Sequence, residues 1–370
     1  MRHRHLILGS ALLLLLATAP AAFAAPRWRP PTLDHATPIV IGHRGAPAYR
    51  PEHTLASYRL AIAQGADFIE PDLVSTRDHV LVVRHENDIT STTDVAQHPE
   101  FADRRTTKVV DGQTETGWFV EDFTLAELET LRAVERLPDI RPANTAMNGR
   151  YRIVTFQQVI DLARGAHVGI APETKHPSYF RSIGLPLEGP LVSALRRNGL
   201  NRRDAPVIIQ SFEVGNLRRL RRMTPVRLLQ LVEATGAPAD LVAAGSRRTY
   251  ADMITPAGLQ GIARYADGIG PDKGLAIPRD PATDALDAPT TLVRDAHRAG
   301  LLVIPWTFRP ENAFLPAGLR RGDPLDPLYP QVHGDEATEL RDFLRLGVDG
   351  VFVDNAEAAV AVRALLARGR

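Results

Sequence analysis

The sequence predicts an α/β protein whose main unit is a (β/α)8 TIM barrel. From Pro38 onward, short apolar runs alternate with stretches of helical periodicity, which is typical of a parallel sheet covered by helices. Eight such runs are present, and that number favours a closed barrel over an open sheet. No G-x-G-x-x-G motif follows the first run, which argues against a dinucleotide-binding fold.

The predicted elements follow one another in regular order. We interpret as barrel strands the residues 39–42, 68–73, 168–173, 207–211, 226–232, 266–270, 301–306 and 350–353. We predict helices over residues 53–64, 155–164, 188–197, 214–223, 290–299, 336–346 and 356–367. Thr155 is a suitable N-cap for the second of these helices.

One apolar run breaks the alternation. Residues 80–83 begin a few residues after the second strand, whereas a parallel crossover needs about a dozen residues or more. We therefore expect an appended hairpin strand near the barrel mouth. The segment 87–152, with a predicted helix at 125–134, is too long for an ordinary connection. We interpret it as an insertion between strands two and three, which either covers the active-site mouth or is a surface excursion.

The N-terminus has the pattern of a secretory signal peptide. A basic start precedes an apolar run over residues 6–17, and Ala22 and Ala24 flank one large residue. This run is shorter than the roughly 20 residues of a membrane span, and an uncleaved anchor is the alternative. We expect cleavage near Ala24, export to the periplasm or secretion, a flexible segment 25–37 and a single barrel domain over residues 38–370.

Composition excludes several classes of function. The 44 Lys and Arg residues balance 43 Asp and Glu residues, so no strong field attracts a polyanion and no nucleic-acid partner is expected. The absence of cysteine excludes disulfides, thiolate metal ligands and a cysteine nucleophile. After the N-terminal run no stretch is long and apolar enough to cross a bilayer, so we expect no stable membrane insertion. Protein partners are not indicated.

Two carboxylates end the second predicted strand. Glu70 and Asp72 are separated by one residue, and residues i and i+2 of a strand point to the same face. Close like charges repel, and a divalent cation would relieve the repulsion. Oxygen ligands suit Ca²⁺ or Mg²⁺ rather than zinc. Solvated carboxylates, or an ion pair with a nearby arginine, are the alternatives.

Two histidines and an arginine are candidates for the chemistry of a phosphate ester. Arg44, in the sequence GHRG that ends strand one, offers a planar and permanently charged donor group. His43 beside it can move protons near neutral pH. His85 follows the hairpin run, so one imidazole could accept a proton while the other protonates a leaving alkoxide. Structural hydrogen bonds for His43 and a surface position for His85 are the alternatives.

The third strand adds one carboxylate and one cation. Glu173 is a third candidate metal ligand at the end of this strand. Lys175 lies two residues further on and could stabilise phosphate charge in the transition state. An ion pair between Glu173 and Lys175 at the strand end is the alternative.

Several further polar and aromatic residues fall near the predicted mouth. Gln210 ends strand four, and Trp306 and Phe308 lie at the end of strand seven. The two aromatic residues either line an apolar wall for a substrate alcohol or pack in the core. Glu52 either supports the metal ligands from behind or begins a helix. Asp354 either forms a hydrogen bond near the site or caps the last helix.

Five short motifs occur in a fixed order along the chain. They are GHRG at 42–45, PEHT at 51–54, EPD at 70–72, HE at 85–86 and ETK at 173–175. In this order they resemble the glycerophosphodiester phosphodiesterase family, over nearly all of the predicted mature chain (39–361). The segments GWFVEDFT at 117–124 and RLP at 136–138 are similar to the periplasmic, calcium-dependent branch of that family.

The resemblance implies a role for each matched residue. His43 and His85 match the acid–base pair of the family, Glu70, Asp72 and Glu173 match its metal ligands, and Arg44 and Lys175 match its phosphate-binding cations. The implied cofactor is one divalent cation, Ca²⁺ or alternatively Mg²⁺. The implied reaction is the hydrolysis of a small glycerophosphodiester to sn-glycerol 3-phosphate and an alcohol.

The chain departs from the family pattern at three places. His53 stands where the family usually has Asn, Glu86 where it usually has Asp, and Val353 where it usually has Thr before an Asp. None of these changes removes a proposed ligand or acid–base histidine. His53 adds an ionisable ring near the site; the alternatives are a changed pH dependence, a changed substrate preference or no measurable effect.

Two other functions stay open from the sequence. A phosphatidylinositol-specific phospholipase C also uses two histidines on a similar barrel, but a lipid substrate calls for an apolar rim that the sequence does not show. A non-catalytic exported phosphodiester-binding protein would keep the pocket without needing an acid–base pair. Intact phospholipid tested against glycerophosphocholine separates the first from the predicted activity, and product release separates the second.

Overall fold

The computed structural model describes residues 28–369. The predicted signal peptide, residues 1–24, and its cleavage site at Ala24 lie outside the described residues. Part of the segment that we expected to be flexible makes defined contacts with the barrel. The amide of Leu33 donates to Oδ1 of Asp349 at 2.8 Å, and Thr32 is buried.

Eight strand positions run parallel around a closed barrel, as predicted. The strands in residues 28–369 are β1 (Ile39–Gly42), β2 (Phe68–Ile69), β3 (Asp72–Ser75), β4 (Leu81–Val83), β5 (Thr106–Val110), β6 (Gln113–Gly117), β7 (Gly169–Ile170), β8 (Glu173–Thr174), β9 (Ile208–Ser211), β10 (Arg227–Val232), β11 (Gly268–Pro271), β12 (Leu302–Val303) and β13 (Gly350–Val353). The order around the barrel is β1, β2 continued by β3, β7 continued by β8, then β9 to β13. Strand β13 pairs in parallel with β1, and a parallel bridge from Phe308 to Val353 completes the closure.

Proline interrupts two of the barrel strands at the mouth. Pro71 separates β2 from β3, and Pro172 separates β7 from β8, because proline has no N–H to donate to the ladder. The pairing register between the two strands is unchanged after the prolines. Asp72 pairs with Glu173, and the amide of Glu173 donates to the carbonyl of Pro71 at 3.0 Å. Two strands that we predicted as continuous are therefore each divided at the place where their carboxylates project.

Helices cover the outside of the barrel. In residues 28–369 they are α1 (Leu55–Ala63), α2 (Leu125–Leu128), α3 (Phe156–Ala166), α4 (Pro177–Ser182), α5 (Glu188–Arg197), α6 (Val214–Met223), α7 (Ala239–Ala243), α8 (Tyr250–Met253), α9 (Pro256–Ile262), α10 (Leu292–Arg298), α11 (Glu336–Leu346) and α12 (Ala356–Ala367). Thr155 caps α3 as predicted, in a capping box with Gln158. Among the described helices, none is both long enough and apolar enough for a membrane span.

Two layers of apolar side chains flank the barrel strands. Alternate residues of a strand face opposite sides, so Ile41 points into the barrel while Val40 packs beneath the helices. The inner cluster consists of Ile41, Ala171, Ile208, Leu229, Leu231, Ile304 and Phe352. This packed interior leaves the polar residues at the carboxyl ends of the strands, where barrel enzymes carry their sites.

The segment between β4 and α3 departs from the barrel pattern. Strand β4 pairs antiparallel with β3, with Leu73 opposite Val83, which confirms the predicted hairpin. The following insertion holds the hairpin formed by β5 and β6, which we did not predict. The helix predicted over residues 125–134 is wrong beyond Leu128, because Arg132 and Ala133 use their backbones in bridges to other parts of the insertion.

Candidate active site

Three carboxylates meet at the mouth of the barrel, as predicted. Glu70 lies at the break after β2, and Asp72 and Glu173 open β3 and β8 as register partners. One oxygen atom from each carboxylate lies within 4.8 Å of the others, and all three side chains are buried. Their arrangement can hold a divalent cation.

The electrostatics of this triad fit a bound cation. Burial and the charges of its neighbours raise the pKa of Glu70 well above the usual range, and burial raises the pKa of Glu173 to about 7. Although burial acts in the opposite direction, the adjacent His53 ring lowers the pKa of Asp72. Oδ1 of Asp72 is buried and has no hydrogen-bond partner among residues 28–369. A hard cation would satisfy this oxygen and compensate the clustered negative charge.

Two cations adjoin the carboxylates. The backbone of Arg44 is left-handed (φ 55°), which lets its amide donate to Oε2 of Glu70 at 3.1 Å. Its guanidinium donates to Glu52 at 2.9 Å and approaches Asp72 at 3.7 Å. Lys175 Nζ lies 3.0 Å from Oε1 of Glu173, so the two residues form the ion pair that was one of the alternatives. Both cations also line the cavity described below, so pairing does not remove them from the site.

Glu52 supports the site in a way that differs from both alternatives that we considered, support of the metal ligands and the start of a helix. Its Oε2 accepts from Arg44 at 2.9 Å and from Nε of Arg136 at 2.8 Å. The carboxylate therefore joins a barrel loop to the insertion. It fixes a phosphate-binding candidate rather than a candidate metal ligand.

The two histidines have the same kind of support. Nδ1 of His43 lies 2.5 Å from Oδ1 of Asp354, and Nδ1 of His85 lies 2.5 Å from Oε1 of Glu86. A carboxylate only accepts, so each Nδ1 carries the proton and each Nε2 is left for chemistry. His43 Nε2 lies 3.9 Å from Glu70, and His85 Nε2 lies 3.2 Å from Nζ of Lys175. Burial lowers the pKa of both rings, that of His43 to about 4.

A cavity of about 690 Å³ opens beside these groups. Gln210 lines it and donates to Oε1 of Glu70 at 2.6 Å, which orients that carboxylate. Trp306 also lines the cavity, as expected for a wall residue. Phe308 does not: it is fully buried and packs edge-to-face on Phe343 at 4.9 Å. Phe212, which we did not single out as a wall residue, lines the cavity instead.

Several residues of the site were not assigned from the sequence. His176 joins Glu86 to Asp111 at the turn of the β5–β6 hairpin, through bonds of 2.9 and 2.7 Å. Arg141, in the insertion, donates to Asp354 at 2.5 Å and to Glu311 at 2.6 Å. The sequence pointed to Asp354 as a residue near the site, because it follows the end of the last strand, but it did not point to His176 or Arg141.

The unusual residue His53 belongs to the interior of the site. Its Nε2 lies 3.0 Å from Oδ2 of Asp72, and its Nδ1 lies 2.8 Å from the hydroxyl of Tyr58. The ring is fully buried and does not line the cavity. It therefore orients a carboxylate from behind, and burial lowers its pKa.

Comparisons with known proteins agree on one family. The model of the glycerophosphoryl diester phosphodiesterase family matches residues 43–358. A glycerophosphodiester phosphodiesterase of Arabidopsis thaliana is 35% identical over 367 residues, covering 93% of this chain and 92% of its own. The enzyme of that name from Haemophilus influenzae is 30% identical over 348 residues, covering 87% and 88%.

Solved structures share the fold. A putative glycerophosphoryl diester phosphodiesterase from Silicibacter pomeroyi aligns with a TM-score of 0.62 and 20% identity, over 89% of this chain and 94% of its own. An Oleispira antarctica phosphodiesterase in complex with sn-glycerol-3-phosphate aligns with a TM-score of 0.56 and 19% identity, over 90% and 98%. The two solved structures share the fold of this chain. The family match and the two sequence relatives show that the chain is an enzyme of the glycerophosphoryl diester phosphodiesterase family.

Proposed function

We propose that this protein hydrolyses glycerophosphodiesters to sn-glycerol 3-phosphate and an alcohol. One observation carries the proposal: three buried carboxylates lie beside two imidazoles, each of which is anchored through Nδ1 by a carboxylate. A binding protein would not need two rings whose Nε2 atoms carry no proton. The relatives named glycerophosphodiester phosphodiesterases support the choice of substrate class.

Glu70, Asp72 and Glu173 would hold one divalent cation, for which we propose Ca²⁺, with Mg²⁺ as the alternative. Such an ion supplies Lewis-acid polarisation of a phosphate oxygen and lowers the pKa of a bound hydroxyl. The unpartnered Oδ1 of Asp72 and the raised pKa values of the two glutamates support this assignment.

The remaining residues position the phosphate and move protons. Arg44 and Lys175 line the cavity and would neutralise charge that develops on the phosphoryl oxygens. One of the two imidazoles, His43 or His85, accepts the proton of the attacking hydroxyl at Nε2, and the other delivers a proton to the leaving alkoxide. Asp354 and Glu86 hold the rings in the required tautomer and stabilise each ring when it becomes charged.

We also propose that the protein is exported to the periplasm or secreted. The support is the basic, apolar and small-residue pattern of residues 1–24. Expression of the full chain in a bacterial host, followed by N-terminal sequencing of the mature protein, tests this proposal. A mature chain that begins at Ala25 is expected, and retention of Met1 in the cytoplasmic fraction contradicts it.

The activity itself is tested with the purified protein and a coupled assay for glycerol 3-phosphate. Release from glycerophosphocholine should stop after treatment with a chelator and return when Ca²⁺ is restored, with Mg²⁺ as the comparison. Intact phosphatidylcholine and phosphatidylinositol serve as the alternative substrates, and their cleavage is followed by the release of diacylglycerol, because a phospholipase C leaves the phosphate on the head group. Release from the phospholipids alone indicates a phospholipase, and substrate binding without release from any of these compounds indicates a non-catalytic protein. Turnover that is unaffected by the chelator contradicts the metal site.

A further inference from the structure

Three aromatic side chains form a strip along one wall of the cavity. The rings of Phe212 and Trp306 meet edge-to-face, with centroids 5.8 Å apart and planes at 84°. Tyr250 continues the strip, with its centroid 6.3 Å from that of Phe212. All three residues line the cavity. Lys175 Nζ lies 5.8 Å from the Phe212 ring, so the strip begins next to a cation that we assign to the phosphate.

A buried carboxylate that forms no ion pair with a lysine, arginine or histidine in residues 28–369 adjoins this strip. Glu213 lines the cavity and is only 2% exposed. Its Oε1 accepts from the amide and the hydroxyl of Ser178 at 3.1 and 2.7 Å. Its Oε2 has no hydrogen-bond partner among residues 28–369. Burial, together with the nearby Asp240 and Asp111, raises the pKa of Glu213 to about 7, as expected for a carboxylate that lacks a counter-charge.

The cations of the cavity are already paired elsewhere. Of the described residues that line it, the lysine and arginine side chains are Arg44, Lys175 and Arg309. Each of them forms an ion pair at the catalytic end of the cavity, with Glu52, Glu173 and Asp354 respectively. His176, whose pKa is raised to about 9 by hydrogen bonds to Asp111 and Glu86 although burial acts in the opposite direction, also lines the cavity and is paired with these two carboxylates. At the aromatic end, Glu213 is accompanied by a second acid, Glu233. The cavity is thus cationic where the phosphate is proposed to bind and anionic and aromatic beside it.

We propose that the aromatic and acidic end binds the ammonium group of the leaving alcohol, so that the preferred substrates are diesters of choline or ethanolamine. Aromatic rings attract a desolvated ammonium through their quadrupoles, and a nearby carboxylate adds a direct charge interaction. Phe212, Trp306 and Tyr250 supply the rings, and Glu213 supplies the charge. This inference rests on the proposed diesterase activity and adds the class of head group to it.

A pair of isosteric substrates tests the proposal on the unmodified enzyme. Glycerophosphocholine is compared with its 3,3-dimethylbutyl analogue, in which a carbon atom replaces the charged nitrogen and the shape is retained. A single desolvated cation–π contact corresponds to roughly a 2- to 30-fold difference in affinity, so we expect kcat/KM to favour choline by about tenfold. Equal kcat/KM values for the two diesters would overturn the proposal while leaving the diesterase activity intact. Failure to release glycerol 3-phosphate from either diester would instead overturn the activity on which it rests.

Two matched variants assign the effect to the carboxylate. Glu213→Gln keeps an acceptor for Ser178 and removes the charge, so the choline-to-dimethylbutyl ratio of kcat/KM should fall by about fivefold or more. Glu100→Gln removes one exposed carboxylate outside the cavity and should leave that ratio as in the unmodified enzyme. A ratio that is unchanged in Glu213→Gln, or one that falls equally in Glu100→Gln, contradicts the role of Glu213.

Discussion

Nδ1 of His43 lies 2.5 Å from Oδ1 of Asp354, although 311 residues separate them in the chain. The contact exists because β1 and β13 are neighbours in the closed barrel, with Gly42 opposite Val353. Each residue follows the end of its strand, so closure of the barrel places the ring and the carboxylate side by side. The first and last strands thereby build one half of the proposed acid–base pair.

Asp354→Asn should therefore lower kcat by about 10²- to 10⁴-fold, because an amide neither fixes the required tautomer of His43 nor stabilises its charged form. Steady-state kinetics and a thermal melt on the same preparation measure the effect. Glu311→Gln is the matched control, since it removes a carboxylate from the other side of Arg141 without touching His43. If the control loses as much kcat as Asp354→Asn, the loss arises from the arginine network and not from the histidine.

His176 should make the stability of the protein depend on pH above neutrality. Burial acts in the opposite direction, but hydrogen bonds to Asp111 and Glu86 raise the pKa of His176 to about 9, above the value of about 6.5 in an unfolded chain. Its contribution is therefore fully present below pH 6.5 and is lost as the pH rises through 9. At low pH the contribution amounts to at most about 3 kcal/mol.

Urea denaturation of the wild type and of His176→Gln, at pH 6 and at pH 9.5, checks this expectation. The difference in free energy of unfolding should be large at the lower pH and close to zero at the higher one. An equal difference at both values would mean that His176 is not charged when it bridges Asp111 and Glu86.

The carboxylate triad was predictable from the sequence, whereas Arg141 and His176, which hold the carboxylate partners of the two histidines, were not. Glu70 and Asp72 are two residues apart at a strand end, and local periodicity alone places them on one face. The barrel topology then brings Glu173 to the same mouth. Arg141 and His176 make their contacts through the insertion, whose path depends on tertiary packing and not on a repeating pattern.

The aromatic wall shows where the local pattern fails. Trp306 and Phe308 are two residues apart, so an extended strand would present both to the cavity. The strand β12 ends at Val303, however, and Phe308 is bridged to Val353 at the closure of the barrel. A change of backbone conformation after Val303 separates the two rings. Pro305 in this stretch indicates the end of the strand, because proline has no N–H for the ladder, but it does not indicate which ring faces the cavity.

Removal of the proposed metal should reveal repulsion within the triad. Without a cation, the raised pKa of Glu173 (about 7) means that its contribution to stability is present below about pH 4.5 and is lost as the pH rises through 7. At pH 8 in chelator, Glu173→Gln should therefore be more stable than the wild type by about 1–2 kcal/mol. The amide oxygen still offers an acceptor to Lys175.

Thermal and urea denaturation with chelator, and then with Ca²⁺, measure this effect. Added Ca²⁺ should stabilise the wild type and should have little effect on Glu173→Gln, so that the order of stability reverses. A wild type that is already the more stable protein in chelator, or equal stabilisation of both proteins by Ca²⁺, contradicts a cation held by these three carboxylates.

Truncation of the two aromatic residues should separate packing from substrate binding. Phe308→Ala removes a fully buried ring that packs on Phe343 and should cost about 3–5 kcal/mol of unfolding free energy, with KM nearly unchanged in the folded fraction. Trp306→Ala removes a partly exposed ring that lines the cavity and should raise KM for glycerophosphocholine by about tenfold. Urea denaturation and initial-rate kinetics on both variants provide the comparison. A large rise in KM for Phe308→Ala would show that its ring contacts substrate after all, and an unchanged KM for Trp306→Ala would remove that residue from the wall of the site.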